Sequence, residues 1–439
     1  MVILMDHVHV LRAGAGRAEV DIAPCLPLDR FTTVHDVPCV RALVLESDKR
    51  VVIVSVEITS IFPETQEQML ESVCRIAKAE RENVWLTLTH SFCPPHIWPS
   101  APSREGDRPR PGHPPRPQEE IERCDRLRKA YLSALESAVS NAVGGMKDAV
   151  IGSGRGQCAA NISRNTLTPE GWWLSPDSRG HCDRALTVLR VDGTDGESIA
   201  ALYVYGVRSC VTEGTKGPDG GNVVTADLAG SASRYFEEEI GGGFTALFLC
   251  GAAGDQEPVL KGCTNTPDIN GALHKTDFGE RSFVLLEAEG RLLAADTLRV
   301  WYGIRDLGDI ESIEVSSAVC TLDTKRMNRD HRALRPIKEL SFEKDGEKSL
   351  TVYGLRLGEL CLVGTQPELD GITTGEIAAA FPEAVTATVI MVNGCDKCMP
   401  ELEAYEKVKF QCQNSPFMPG SAEKLRDTAI FLITEMKKG

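Results

Sequence analysis

The stretch that decides the fold is VVIVSVEITSIFPETQEQMLESVCRIAKAERENVWLTLTH, which runs from Val51 to His90. It opens with a nearly continuous apolar run, which is typical of a strand inside a sheet. From Pro63 to Glu80 the apolar residues recur at helical spacing behind a proline, and this predicts a helix. VWLTLTH then returns to a strand. In α/β sheets ligands usually bind at the carboxyl ends of strands, so His90 lies where a site is expected.

The same alternation continues on both sides of this stretch. VRALVLES before it, ALTVLRVDG, SIAALYVYGV and TALFLCGAAGD predict strands, and LTVYGLRLGELCLVGTQ predicts a hairpin followed by the strand AVTATVIMVNG. Helices are predicted over QEEIERCDRLRKAYLSALESAVSNAV, LAGSASRYFEEEI, GITTGEIAAAF and GSAEKLRDTAIFLITEMKK. The predicted fold class is α/β, with mixed β-sheets flanked by helices. We expect residues 1–439 to form one large unit, and we see no internal repeat in the sequence.

Residues 99–118 interrupt this pattern. PSAPSREGDRPRPGHPPRPQ contains seven prolines and four arginines, a composition that opposes both helix and sheet. Connections of this length without secondary structure are usually either functional or disordered. The segment is therefore predicted to be a lid or a disordered loop.

Composition and charge restrict the partners. The chain has a formal charge of -15, which disfavours nucleic acid and anionic membranes. Its first residues lack the pattern of a signal peptide, and no apolar run is long enough to span a bilayer. The fifteen cysteines are expected to be reduced thiols. We predict a cytoplasmic protein with a small-molecule substrate, no nucleic-acid partner and no membrane insertion; a homo-oligomer is left open.

Three short motifs carry chemistry. HSFCPPH (His90–His96) places two histidines and a cysteine within seven residues, and CDKC (Cys395–Cys398) has a spacing suited to one metal or a redox pair. CGAAGDQEP ends a strand in small residues and presents Asp255 and Glu257 at its tip. GSGRGQ, which begins at Gly152, lacks the full spacing of a dinucleotide-binding loop. None of the three motifs is specific alone.

In collinear order, several motifs resemble one family, the neutral/alkaline ceramidases and their shorter bacterial relatives. From about Ala13 to the C-terminus these motifs are AGRAEVDIAP, TLTHS, NISRN, LYVYGVRSCV, VTADLAG, LCGAAGDQEP, GTQPEL and NGCDKCMP. The resemblance implies a fold like that of the ceramidase catalytic domain. It also implies a zinc amidase whose metal is held by two histidines, one glutamate and one tyrosine.

The positions that match the metal ligands depart from that pattern. The two histidine positions fall on Leu88 and Arg208, and the tyrosine position falls on Cys398. Glu368 matches the glutamate, and His90 matches the second histidine of the THTH motif. A guanidinium is not a metal ligand, so the usual zinc site cannot be assumed. The metal ligands that the resemblance still allows are His90, Glu368 and Cys398.

The substrate-contacting positions are better preserved. Arg164 and Asp227 match family positions, whereas the family's nucleophilic serine falls on Glu257. We expect Arg164 and Arg208 to hold an oxyanion or a carboxylate, with Asp227 also binding substrate. Glu257 or Asp255 would then act as the general base.

Cysteines lie near several of the former ligand positions. Cys93, Cys210 and Cys395 are further candidate ligands beside Cys398. Thiolates would favour zinc bound as thiolate or an iron–sulfur cluster over a water-bound hydrolytic zinc. Zinc, an iron–sulfur cluster and the absence of any metal therefore all stay open.

The predicted function is a ceramidase-like, metal-assisted hydrolase that acts on an amide C–N bond of a small polar or carboxylated substrate. Two alternatives remain. One is a cysteine-ligated metal protein, iron–sulfur or zinc, with non-hydrolytic chemistry. The other is a non-catalytic binding protein of the same fold, since a fold does not guarantee its usual function.

Overall fold

The structure, a computed structural model, describes residues 10–99, 116–327, 336 and 338–438. Most of the segment 99–118 lies outside the described residues, so the lid predicted there is not addressed by the structure.

Helices and strands alternate along the described chain. The helices are α1 (Pro63–Ala77), α2 (Gln118–Gly144), α3 (Asp227–Ile240), α4 (Ser282–Gly303), α5 (Gly371–Ala379), α6 (Leu402–Glu406), α7 (Phe410–Asn414) and α8 (Ser421–Met436). The strands are β1 (Arg12–Glu19), β2 (Phe31–Val34), β3 (Cys39–Glu46), β4 (Arg50–Val56), β5 (Val84–Leu88), β6 (Lys147–Gln157), β7 (Asn161–Thr168), β8 (Gly171–Asp177), β9 (Ala185–Gly193), β10 (Ser198–Tyr205), β11 (Asn222–Val224), β12 (Thr245–Cys250), β13 (Gln256–Pro258), β14 (Cys263–Pro267), β15 (Leu273–Asp277), β16 (Ile313–Met327), β17 (Phe342–Leu357), β18 (Leu360–Gly364), β19 (Glu368–Leu369), β20 (Val385–Val389) and β21 (Cys398–Met399).

The principal strands form three units with one topology. The N-terminal unit has the strand order β1-β3-β4-β5, the central unit β6-β9-β10-β12 and the C-terminal unit β16-β17-β18-β20. In each unit the first three strands are antiparallel, and the fourth is parallel to the third. A crossover helix joins the third strand to the fourth in each case: α1, α3 and α5. A second helix follows the fourth strand and packs on the first strand of its own unit: α2, α4 and α8.

The three units share one apolar core. Leu43, Leu202 and Leu355, one from each unit, are buried in the same cluster. The opposite faces of the sheets are covered by the helices. Pairing of β1 with β6 joins the first two units into a continuous eight-stranded sheet. Several strands are buried along nearly their whole length, which explains why they read as continuous hydrophobic runs: β3, β4, β5, β10, β12 and β18.

The glycine-rich GSGRGQ stretch is part of β6 and not a ligand-binding loop. A Cβ atom on Gly154 would lie 2.9 Å from a side-chain carbon of Ile304, and one on Gly156 would lie 2.3 Å from a side-chain carbon of Val300. Glycine is therefore required for the close approach of α4 and the residues that follow it. The sequence patterns did not predict α4, whose apolar residues are less regularly spaced.

The α/β class with mixed sheets and flanking helices is confirmed, and so are the predicted hairpin β17–β18 and the helices α1, α2, α3, α5 and α8. Helix α1 ends at Ala77 and not at Glu80, because Lys78 adopts a left-handed conformation with φ of 52°. Among the described residues, no helix combines the length and the apolar character needed to cross a membrane.

Candidate functional site

The candidate site forms where loops from all three units meet. His90 lies two residues beyond β5, Arg208 lies three residues beyond β10, and Glu368 begins β19 shortly after β18. The backbone N–H of Ser209 donates to the carbonyl of His90 at 3.2 Å, and the N–H of Phe92 donates back to the carbonyl of Ser209 at 2.9 Å. These bonds hold the His90 loop against the Arg208 loop.

His90 is buried in a sparsely populated conformation. Its φ of 56° is left-handed, which for a residue other than glycine persists only where its surroundings enforce it. Its Nδ1 lies 3.1 Å from the carbonyl oxygen of Thr59, so this nitrogen is the donor of that hydrogen bond. Nε2 lies 3.2 Å from Oε2 of Glu368, yet outside hydrogen-bonding geometry. His90 therefore presents a buried nitrogen without a hydrogen-bond partner among the described residues.

Glu368 and Arg208 form a buried ion pair. Nη2 of Arg208 donates to Oε2 of Glu368 at 2.9 Å, and the guanidinium also lies 4.9 Å from the ring centroid of Phe92. Burial alone would raise the pKa of Glu368, but attraction to His90 and Arg208 holds it well below its usual range. Burial likewise opposes the charge of Arg208, and the Glu368 carboxylate more than offsets it, so that the pKa of Arg208 is raised. Both groups are charged at neutral pH.

Arg164 brings a second guanidinium to the same place. It projects from β7, and its Nε and Nη2 donate to the carbonyl of Gly254 at 3.0 and 2.5 Å. Nη2 also lies 3.6 Å from Sγ of Cys398. Burial and repulsion from Arg208 lower the pKa of Arg164. Two guanidiniums thus lie close to the Glu368 carboxylate.

Cys398 lies directly beside Glu368. The parallel pair β19–β21 places these two residues in register, and Sγ of Cys398 is 3.6 Å from Oε2 of Glu368. Burial, followed by repulsion from the Glu368 carboxylate, raises the pKa of Cys398 to about 11. Cys398 is therefore a neutral thiol at physiological pH and does not compete for the positive charge around it.

A small cavity opens at the two guanidiniums. Arg164, Arg208 and Glu257, which the sequence analysis grouped in one site, all line this cavity of about 330 Å³. Glu257 lies in β13, which pairs with β7, the strand that carries Arg164. The rest of the lining comes from β8, the β14–β15 hairpin and the loops before them: Trp173, Leu174, Ser175, Pro176, Cys210, Glu213, Gly214, Lys261, Cys263, Thr264, Asn265 and Leu273.

Two charged residues of this cavity, Lys261 and Glu213, were not predicted from the sequence. Nζ of Lys261 lies 3.3 Å from Oε2 of Glu257 and 3.0 Å from Oε2 of Glu213. Lys261 follows Glu257 by four residues, but that spacing indicates a contact only in a helix, and this segment is not helical. Glu213 belongs to no motif that the sequence patterns identified.

Asp255, the other candidate base, is placed differently. It is not among the residues that line the small cavity. Its Oδ1 accepts from the N–H of Gly371 at 3.0 Å, and its own carbonyl accepts from the N–H of Arg164 at 3.0 Å. Burial raises the pKa of Asp255 to about 6. The residue connects the strand of Arg164 to the start of α5.

Asp227 stabilises the loop that carries Arg208, and it does not line the small cavity. It is fully buried, with a left-handed φ of 53°. Its carboxylate accepts from the N–H groups of Val211 at 2.7 Å and Thr212 at 2.9 Å, and from the Thr212 hydroxyl at 2.7 Å. These bonds fix the backbone just after Arg208.

The candidate cysteine ligands lie in separate surroundings. Sγ of Cys93 is 3.2 Å from Asp227, Cys210 lines the small cavity, and Sγ of Cys395 donates to the carbonyl of Ile61 at 3.0 Å. In the described part of the chain, no three or more histidine, cysteine, aspartate or glutamate side chains are grouped to hold a metal ion.

The site does not fit the zinc centre that the resemblance implies. Leu88 is a buried apolar residue of β5, and Arg208 occupies the free side of Glu368 with its guanidinium. A guanidinium cannot coordinate a metal, and two of them would repel a dication placed beside Glu368. His90, Glu368 and Cys398 are close together, but their charge environment favours an anion over a cation.

A larger cavity adjoins the first. It has a volume of about 840 Å³ and shares Glu213 and Gly214 with the smaller one. Phe92, His96 and Trp98 give it an aromatic wall. Of the two, only the small cavity is lined by Arg164, Arg208 and Glu257, so we treat the small cavity as the candidate reaction site.

The fold of this chain is similar to that of solved structures, although its sequence matches no known family. No protein-family profile matches the chain, and no curated protein matches it either. Among solved structures, neutral ceramidase from Pseudomonas aeruginosa is similar with a TM-score of 0.72 at 15% identity, covering 98% of this chain and 75% of that one. A ceramidase complexed with C2 is similar with a TM-score of 0.69 at 16% identity, covering 98% and 76% of the two chains.

These similarities define the class as a mixed-sheet α/β protein. More particularly, the chain has a ceramidase-like fold over nearly its whole length, as the order of its motifs predicted.

Proposed function

We propose that this protein is a hydrolase that cleaves an amide C–N bond in a small polar or carboxylated substrate. The observation that carries the proposal is the convergence of Arg164, Arg208 and Glu257 from three separate segments on one cavity of about 330 Å³. A carboxylate base and two cationic hydrogen-bond donors are the groups that amide hydrolysis requires.

The chemistry follows from these three side chains. Glu257 takes a proton from a water molecule as the water oxygen attacks the amide carbonyl carbon. The guanidiniums of Arg208 and Arg164 stabilise the negative charge that develops on the carbonyl oxygen. Glu257, now protonated, returns the proton to the leaving nitrogen as the C–N bond breaks. The products are a carboxylic acid and an amine, and Glu257 ends in its initial state.

Size and charge indicate the class of substrate. A cavity of about 330 Å³ is at the lower end of the usual range for ligand sites, so it suits a small molecule. The guanidiniums of Arg164 and Arg208, which line the cavity, are suited to bind a substrate that carries a carboxylate. N-acyl amino acids of low molecular mass meet both conditions.

The metal assistance expected from the resemblance is not part of this mechanism, because the residues around Glu368 do not fit a divalent ion. Among the residues that the structure describes, no group of three or more potential ligands supports a cysteine-ligated metal protein. A non-catalytic binding protein of the same fold would use the same cavity, and it would bind small carboxylates without turning any over.

A panel of small N-acyl amino acids and simple amides, assayed for amine release by mass spectrometry, tests the proposal. We expect turnover of at least one carboxylated member, and Glu257→Gln should lower kcat by about 10²-fold or more. Asp255→Asn is the matched control, because it removes a carboxylate from the same loop without touching the cavity, and it should retain activity. Unchanged kinetics in Glu257→Gln would remove Glu257 from the mechanism, and binding without turnover would favour the binding protein.

A reducing compartment, such as the cytoplasm, is proposed as well. All fifteen cysteines lie within the described residues and are free. Oxidising compartments convert closely placed thiols to disulfides, so cysteine-rich chains without disulfides are typical of the cytosol. Subcellular fractionation of the native protein tests this placement.

A further inference from the structure

Lys261 holds an ammonium group between two carboxylates at the wall of the small cavity. Its Nζ lies 3.3 Å from Glu257 and 3.0 Å from Glu213. The side chain of Glu257 is 9% exposed, whereas that of Glu213 is 44% exposed. The ammonium is therefore shared between an inner carboxylate, which faces the cavity, and an outer one near solvent.

The backbone around Lys261 is fixed on both sides. The N–H groups of Val259 and Leu260 donate to the buried carboxyl group of Glu289 at 2.9 and 2.7 Å. The N–H of Gly262 donates to the carbonyl of Val211 at 2.8 Å. The ammonium position thus follows from the packing of the segment, unlike that of a free surface lysine.

We propose that Lys261 is a positioning residue that sets the protonation state of Glu257, and that Glu213 competes with Glu257 for the same ammonium. The inference rests on the proposed function, in which Glu257 is the general base. An ammonium within hydrogen-bonding distance favours the ionised carboxylate and keeps a base available at lower pH. Partial neutralisation of that ammonium by Glu213 prevents Glu257 from becoming too weak a base.

The other groups that face Glu257 stay constant in the test. Arg164 from β7 and Arg208 from the loop after β10 bring guanidiniums to the cavity, and the Cys210 thiol lines it. Glu368 lies behind Arg208 as its ion-pair partner. Because none of these residues is altered, a change in the titration of Glu257 is attributable to Lys261 or Glu213.

The pH profile of kcat/KM distinguishes this role from a structural one. In Lys261→Met the acidic limb should move upward by about one pH unit, because the favourable charge is lost. In Glu213→Gln it should move downward, because the whole ammonium then acts on Glu257. Lys261→Arg should restore the profile of the unaltered protein. Identical acidic limbs in all four proteins would overturn the inference.

A second measurement does not depend on turnover. In protein labelled with ¹³C-glutamate, the carboxyl resonance of Glu257 is assigned by its disappearance in Glu257→Gln. The chemical shift of this resonance, followed against pH, gives the titration midpoint of Glu257 directly. Shifts in opposite directions in Lys261→Met and Glu213→Gln support the inference even if no substrate is hydrolysed, in which case only the proposed function fails. If Lys261→Met does not fold, Glu213→Gln decides: an unchanged Glu257 midpoint there contradicts the inference.

Discussion

At the scale of single residues, charge separates two kinds of carboxyl group around the site. Glu368 faces Arg208, and its pKa is held low. Asp255 and Asp370 are buried beside one another, and burial raises the pKa of each to about 6, with repulsion from Asp255 adding to the effect at Asp370. The first carboxyl is ionised and paired with a guanidinium, whereas burial favours the protonated form of the other two.

The buried carboxyl groups of Asp255 and Asp370 should make the stability of the folded protein depend on pH. Their pKa is raised in the folded state, so between about pH 4 and pH 6 the folded protein binds more protons than the unfolded chain. Stability should therefore fall as pH rises through this window. Asp255→Asn keeps an oxygen acceptor for the N–H of Gly371 and removes one of the two charges. We expect it to raise Tm at pH 7 and to flatten the dependence between pH 4 and 6.

Thermal melts of both proteins between pH 4.5 and 7.5 test this expectation. An Asp255→Asn variant that is less stable than the unaltered protein at pH 7, with the slope unchanged, would show that the two carboxyls are not coupled.

Motif order allowed some residues of the candidate site to be grouped from the sequence, but it did not reveal contacts that depend on spatial proximity. Arg164, Arg208 and Glu257 are far apart in sequence, yet their motifs resemble segments of one family, so they could be grouped. Lys261 and Glu213 belong to no motif, and their contact arises from the packing of two loops. Single-sequence patterns do not report such packing.

Among the secondary-structure elements, β6 and α4 pack closely because β6 has glycines, which carry no side chain, at the points of contact. Val300 is β-branched and stiff at χ1, and a Cβ on Gly156 would lie 2.3 Å from its Cγ2. Gly156→Ala should therefore lower the free energy of unfolding by about 1–3 kcal/mol, the usual effect of overpacking. Urea denaturation provides the measurement.

Gly303→Ala is the matched control, because Gly303 lies in α4, the helix that packs on Gly156, and a Cβ there would meet no atom within 4 Å. It should leave stability equal or slightly higher, since alanine favours a helix more than glycine does. If the two variants were equally stable, the close approach of α4 to β6 would not require glycine.

At the scale of the whole molecule, the three units repeat one order of strands and helices, although the sequence analysis found no internal repeat. His90 and Met391 follow the fourth strands of the N-terminal and C-terminal units by two residues, and both have φ of 56°. The repeat is thus visible in backbone conformation and not in residue identity. The hydrophobic pattern predicted strands and helices well, but it cannot reveal that three units enclose one core.

This architecture explains where the site lies. The loops that follow the third and fourth strands of each unit point to the same region, so residues from distant parts of the chain meet there. This location was predicted from the sequence alone, because ligands usually bind at the carboxyl ends of strands in α/β sheets. The charge of the site, in contrast, is set by side-chain contacts that the sequence does not show. Glu368 was expected to bind a metal and is instead paired with Arg208.

In the proposed mechanism a carboxylate base and two guanidiniums hydrolyse an amide without a divalent metal. Its most direct test is amine release from the best substrate of the N-acyl amino acid panel by chelator-treated protein, with metal content measured on the same sample. We predict that the metal-free protein retains full activity and that Glu257→Gln, treated identically, loses about 10²-fold or more. Activity that is lost on chelation and restored by stoichiometric zinc would contradict the account.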